Sequence, residues 1–113
     1  MSFQNWSDTI IVAELQDDPA FSDDLVQLQE LVAANRSLDV VLDLSAVDYL
    51  NSSNIAKLLK LRKIVVGTHQ RSLKLCGVGT HVWGLFLVTG LDKVFDFVDS
   101  VAEGLAGVQM NRT

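Results

Sequence analysis

The sequence predicts one α/β domain: a mostly parallel central sheet, about four helices and a short N-terminal hairpin. Three observations carry that expectation. The chain has 113 residues, the length of a single domain. Hydrophobic residues make up 49% of it and charged ones 20%, the composition of a packed core and not of a disordered tail. A short apolar strand followed by a helix recurs four times with short connections, the pattern of parallel strands joined by crossover helices. No linker, low-complexity stretch or fixed-period repeat interrupts it. One domain over the whole chain is therefore expected, with an ordered core over about 3–106.

The first strand of the series is Thr9 to Leu15, rich in β-branched residues, and Phe3 to Trp6 can pair back on it through Ser7 and Asp8. Asp17-Asp18-Pro19 reads as a helix start, with Asp18 able to accept a free backbone N–H and Pro19 suited to the first helical position. Phe21, Leu25, Leu28 and Val32 then recur at helical spacing, up to Asn35 and Arg36. In the second block, Val40 to Leu44 is an apolar run of the kind buried on both faces of a parallel sheet. The helix after it is expected to carry Ile55, Leu58, Leu59, Val65 and Val66 on one side and Lys57, Lys60 and Lys63 largely on the other, ending at Gly67. The stem of Arg62 is expected to be buried and its head to reach water. The third block is Ser72 to Cys76, a Gly77-Val78-Gly79 turn, and a helix from about Thr80 to Thr89 closed by Gly90. The fourth is a short strand near Val94 to Phe97 and a helix from about Asp99 to Leu105, after which Gly107 to Thr113 reads as a frayed tail.

Charge and cysteine content narrow the function classes. Nine Lys plus Arg against fourteen Asp plus Glu leave a formal charge of -5, which disfavours nucleic acid, whose phosphates call for a basic stripe. Cys76 is the one cysteine, so neither an intramolecular disulfide nor a CxxC site can form. No apolar run approaches the ~20 residues of a membrane helix, and the N-terminal stretch lacks a basic-then-apolar signal pattern. A cytoplasmic domain without membrane insertion is the expectation. His69 and His81 sit in no hydrolase signature, and nothing gives Cys76 and His81 a metal-ligand spacing, so no catalytic set, metal or cofactor is expected. Gly77-Val78-Gly79 follows a strand and opens a helix, where a nucleotide phosphate can bind. The dinucleotide fingerprint would place its third glycine at position 82, which is Val82, and no Walker lysine follows.

Asp43 to Ile55, DLSAVDYLNSSNI, is the informative segment. Two serines and two asparagines stand where a loop enters a helix. Ser52 or Ser53 can cap the helix, a contribution of about 1 kcal/mol. The same unpaired N–H groups and positive helix end accommodate an anion, so a phosphoserine fits there too, adding about -1.5 to -2 charge for a partner to read.

The stretch VVLDLSAVDYLNSSNIAKLLKL resembles the central segment of STAS domains, specifically of bacterial anti-sigma factor antagonists, where Asp-Leu-Ser ends a strand and Asp-Ser-Ser-Gly opens a helix. TGLDKVFDFVDSV, from Thr89 to Val101, is similar to that family's usual ending, and LKLCGV, from Leu73 to Val78, to the strand between. The resemblance covers nearly the whole chain. It implies a non-enzymatic regulator that binds a serine kinase acting also as anti-sigma factor, is phosphorylated by it, and is restored by a phosphatase. By position the acceptor is Ser53, with Ser52 as the alternative. Asn51 stands where the family has Asp, and Asn54 where it has Gly. Both changes bear on recognition by a kinase at the site. Asp43 matches the strand-end acid, with capping or loop anchoring as its other roles. Two further readings stay open: a constitutive STAS interaction module of a larger or transport-associated assembly without phosphorylation, and a small-ligand domain using Gly77 to Gly79.

Overall fold

The structure, a computed structural model, describes residues 3–110. Its elements are β1 (Phe3–Ser7), β2 (Ile10–Gln16), α1 (Ala20–Ala34), β3 (Asp39–Ala46), α2 (Ser52–Arg62), β4 (Leu73–Cys76), α3 (Thr80–Thr89), β5 (Asp96–Val98) and α4 (Val101–Met110). The five strands lie side by side in chain order. β1 pairs antiparallel with β2, the expected hairpin, and every later pair is parallel.

Alternation along the strands divides the core. Ile11, Ala13, Leu15, Val40, Leu42, Leu44, Leu73 and Leu75 face one layer, packed against Phe21, Leu25, Leu28 and Val32 of α1, Leu58 and Leu61 of α2, and Val82 and Phe86 of α3. Ile10, Val12, Val41 and Cys76 face the other side, where Val101, Leu105 and Val108 of α4 cover them. β3 is apolar on both sides because both of its faces are covered. At its start Asp39, buried, pairs with Arg71 at 2.9 Å and accepts the Ser72 N–H at 2.7 Å, which fixes how β4 enters beside β3.

Three expectations need correction. The α-helical part of this segment ends at Arg62, short of Gly67, and Lys63–Thr68 form a π-helical turn; the buried apolar residues are Leu58, Leu61 and Val65, with Leu59 exposed. Arg62 is half-buried, and its Nε is anchored by donating to the Val94 carbonyl at 2.9 Å. β5 starts later than expected because Leu91–Lys93 form a 3-10 turn and the Phe95 N–H is spent on the Leu91 carbonyl. The tail from Gly107 is helical through Met110, with Val108 fully buried, so the ordered core extends past residue 106. Residues 111–113 lie outside the described residues.

Candidate functional site

The C-terminal end of β3 hands the chain to α2 through a loop pinned at several points. Val47 and Leu50 are buried in the core. Asp17, in the loop after β2, accepts the N–H groups of Asp48 at 2.9 Å and Tyr49 at 3.4 Å. Asn51 is the N-cap of α2. Its Oδ1 accepts the Asn54 N–H at 2.8 Å, and the Asn54 Oδ1 accepts the Asn51 N–H at 3.0 Å. This is a capping box made by two asparagines, and it satisfies two otherwise orphaned donors.

Asp18 completes the arrangement from across the loop. Its Oδ1 accepts the Ser22 N–H at 2.9 Å and the Ser22 hydroxyl at 2.7 Å. Its Oδ2 accepts the amide of Asn54 at 2.9 Å and that of Asn51 at 3.3 Å. The hydroxyl of Ser22, then the amide of Asn54, hold the Asp18 carboxyl down at about 2, against a smaller opposing effect of burial. One carboxylate thus joins the first turns of α1 and α2. Asn54, 1% exposed, is an interior residue and not part of the outer surface.

Ser52 and Ser53 occupy the first two positions of α2, and both are exposed. Backbone N–H groups at those positions have no acceptor within a helix. Neither serine is the cap, because Asn51 has that role. The Ser53 hydroxyl instead accepts from Lys57 Nζ at 2.8 Å, one helical turn on. The site therefore presents an exposed hydroxyl, an ammonium group and the positive end of an eleven-residue helix, all on a locked turn.

Asp43 lies on β3, ahead of that loop. Its Oδ1 accepts the Ser45 N–H at 3.0 Å, and in register it lies opposite Cys76. Gly77 turns there with φ +69°, and a Cβ on it would sit 2.9 Å from Asp43 Oδ1. Asp43 anchors its own loop, and Gly77 is glycine for backbone geometry and close approach. Burial first, and Asp43 second, push the Cys76 thiol up to about 11. His81 is exposed, and His69 closes the π-helical turn through its N–H to the Ile64 carbonyl. Among the described residues no three of His, Cys, Asp and Glu gather as metal ligands would.

The structure thus gathers Asn51, Ser52, Ser53 and Asn54 on one turn, and among the described residues the Asp43 side chain makes no hydrogen bond to that turn. The sequence pattern marked Asp17 and Asp18 only as a helix start and Lys57 only as part of the polar side of α2, and it did not mark Ser22. The Ser53-to-Lys57 spacing of four was the available signal for one of them.

Several solved structures share the fold. An anti-sigma factor antagonist from Mycobacterium paratuberculosis is 23% identical, with 95% of this chain and 91% of that one covered at a TM-score of 0.76. A serine-to-glutamate variant of RsbS from Moorella thermoacetica is 16% identical, covering 95% and 94% at 0.79. The Bacillus cell fate determinant SpoIIAA in its phosphorylated form is 12% identical, covering 94% and 96% at 0.70. No curated protein sequence matches. No helix among the described residues is long and apolar enough to cross a membrane. Residues 14–99 match the family model described as "Mlab, STAS domain", and with the topology above this places the chain in the STAS-domain family.

Proposed function

We propose that this chain is a non-enzymatic cytoplasmic regulator of the anti-sigma factor antagonist kind, which docks on a serine kinase that is also an anti-sigma factor and is released by phosphorylation at Ser53. The observation that carries the reading is the exposed Ser53 hydroxyl on the first turn of α2, with Lys57 Nζ at 2.8 Å. A phosphate there meets an ammonium group, unpaired amides and the helix dipole, so the fold accepts it at little cost. A partner seated on the same turn meets about -1.5 to -2 of new charge, which is costly to bury. Two structural neighbours support the reading by what they are: SpoIIAA in phosphorylated form and RsbS with glutamate in place of a serine. Asn51 and Asn54 do not weaken it sterically, because both amides point at Asp18.

The test is to incubate the protein with its cognate kinase and ATP, locate the phosphate by mass spectrometry, and compare partner binding of wild type, Ser53→Ala and Ser53→Asp. Phosphate on Ser53, with binding kept in Ser53→Ala and lost in Ser53→Asp, is the expected result. An unmodified Ser53 with equal binding by all three proteins sinks the switch. That second result supports a constitutive module of a larger assembly, the reading favoured by the Asp18 network, which holds the α2 turn in one shape without any modification.

A further inference from the structure

β4 passes the chain to α3 on the three-helix face, and β5 passes it to α4 on the opposite face. The two loops part as they leave neighbouring strands, and in open α/β sheets such a parting at the carboxyl ends opens a crevice. Here it holds a cavity of about 220 Å³ lined by Gly77, Val78, Trp83, Phe97, Val98 and Asp99. Trp83 and Phe97 meet edge to face, with centroids 5.0 Å apart. The Asp99 N–H donates to the Glu103 carboxylate, so a second acid stands beside the crevice. Among the described residues the Asp99 carboxylate itself accepts no hydrogen bond and pairs with no cation, and no Lys or Arg lines the cavity. The partial charge at the start of α3, about half a unit, is outweighed by the full opposite charge of Asp99.

The surface next to the crevice has the complementary character. α3 contains no Asp, Glu, Lys or Arg, and Trp83, Leu87 and Val88 are 37%, 51% and 82% exposed. Trp83 and Leu87 are one turn apart, as are Gly84 and Val88, so the four form one strip that begins at the crevice. Gly84 has no positive φ, and a Cβ placed on it would meet nothing within 4 Å. Its glycine is costly to a helix and unexplained by internal packing, but it leaves the strip flat for another chain to approach.

We infer that the crevice and the α3 strip form a second docking surface, whose occupant is a partner-protein segment presenting one arginine flanked by aliphatic residues. The guanidinium stacks on the aromatic wall and pairs with Asp99, and the aliphatic side chains cover Leu87 and Val88. Arginine suits the wall better than lysine because a planar, weakly hydrated cation stacks on indole and forks onto a carboxylate. The surface uses none of the residues of the Ser53 turn, so it stands whether or not Ser53 is phosphorylated.

The probe is a blocked peptide with one arginine between leucines, titrated while the Trp83 indole N–H is followed by NMR, with Trp83→Phe assigning the signal. The expected result is that shifts centre on Trp83, Phe97 and Asp99, and that replacing the arginine by glutamine weakens binding about fivefold or more. Asp99→Asn removes the difference between the two peptides, and Leu87→Gln with Val88→Gln reduces the arginine peptide to the level of blocked arginine alone. All these positions are at the surface, and matching urea midpoints confirm that the variants are folded. Should a variant fail to fold, the two peptides compared on wild type decide the matter. Equal affinity of the two peptides, shifts centred on the Ser53 turn, no shift at millimolar peptide, or blocked arginine binding as tightly as the peptide would each overturn the inference.

Discussion

Asn54 shows how far a single side chain can differ from its sequence-level reading. In the pattern it is a bulky replacement for glycine beside a candidate acceptor serine. In the fold it turns inward and spends its amide on Asp18, 36 positions away in sequence. The direction of a side chain at the third position of a helix depends on what the facing loop offers, and no local pattern contains that. The pair of exposed hydroxyls was legible, because two serines stand where a loop enters a helix, whereas the choice of Ser53 over Ser52 rests on the family resemblance alone. Asp18 was half legible, since an acid before a helix signals a cap but not a bridge to a second helix. The bridge has a measurable consequence. Asn54→Gly deletes a buried donor and half of the capping box and should lower stability by about 2 kcal/mol in urea titrations at neutral pH. Asp18 titrates at about 2 in the folded chain against 3.8 as the ordinary value. A depressed carboxyl stabilises the fold above its unfolded value, so this contribution is complete above about pH 4 and disappears as pH falls toward 2. Asp18→Asn should flatten the loss of stability across that window relative to wild type. An unchanged acid limb would show that the carboxylate does not link the two helices.

Among the elements, α1 and α3 matched their sequence signals closely, and α2 did not. α3 runs from Thr80 to Thr89 with Gly90 at φ +75° closing it, the boundaries that its glycines announce. α2 has apolar residues at nearly every turn position, so periodicity alone could not choose between Leu59 and Leu61. The core took Leu61 and left Leu59 at the surface, and the π-helical turn after Arg62 keeps Val65 buried on the side expected of it. Glycines sort the elements by cause. Gly77 is required, because its positive φ strains any side chain and a Cβ would meet Asp43 and Ser45 at 2.9 and 3.1 Å. Gly84 is not required by anything inside the molecule. The two should respond with opposite sign to one substitution. Gly77→Ala should destabilise by about 2 kcal/mol or more. Gly84→Ala should stabilise by about 0.5–1 kcal/mol through helix propensity alone. Thermal melts of the two variants check this, and a destabilised Gly84→Ala would mean that α3 has an internal contact at that position.

At the scale of the molecule, the parallel order of the sheet was legible because strand and helix alternate, and alternation with short connections leaves few topologies. The covering of the second face was not. Gly104 and Gly107 make the last segment look like a poor helix, yet a Cβ at Gly104 would lie 3.0 Å from Val41 Cγ1. The glycine that lowers helix propensity is what lets α4 lie against β3. The two apolar layers therefore share strands: Val40 and Leu42 face one and Val41 the other, on the same backbone. A change in the smaller layer loosens β3, and β3 is the floor of the larger one, so the chain should unfold as one cooperative unit. Val108→Ala tests this across the sheet. Val108 is fully buried on the α4 side, whereas Trp83 rides on α3 against the opposite face. In a Trp6→Phe background Trp83 is the single fluorescent reporter, and Val108→Ala should shift its urea midpoint by the same amount as the far-ultraviolet circular dichroism midpoint, with a loss of about 2 kcal/mol. If the Trp83 midpoint stays at its wild-type value while dichroism reports an early loss of helix, α4 unfolds on its own, and the second face is an attachment to the fold and not part of its cooperative core.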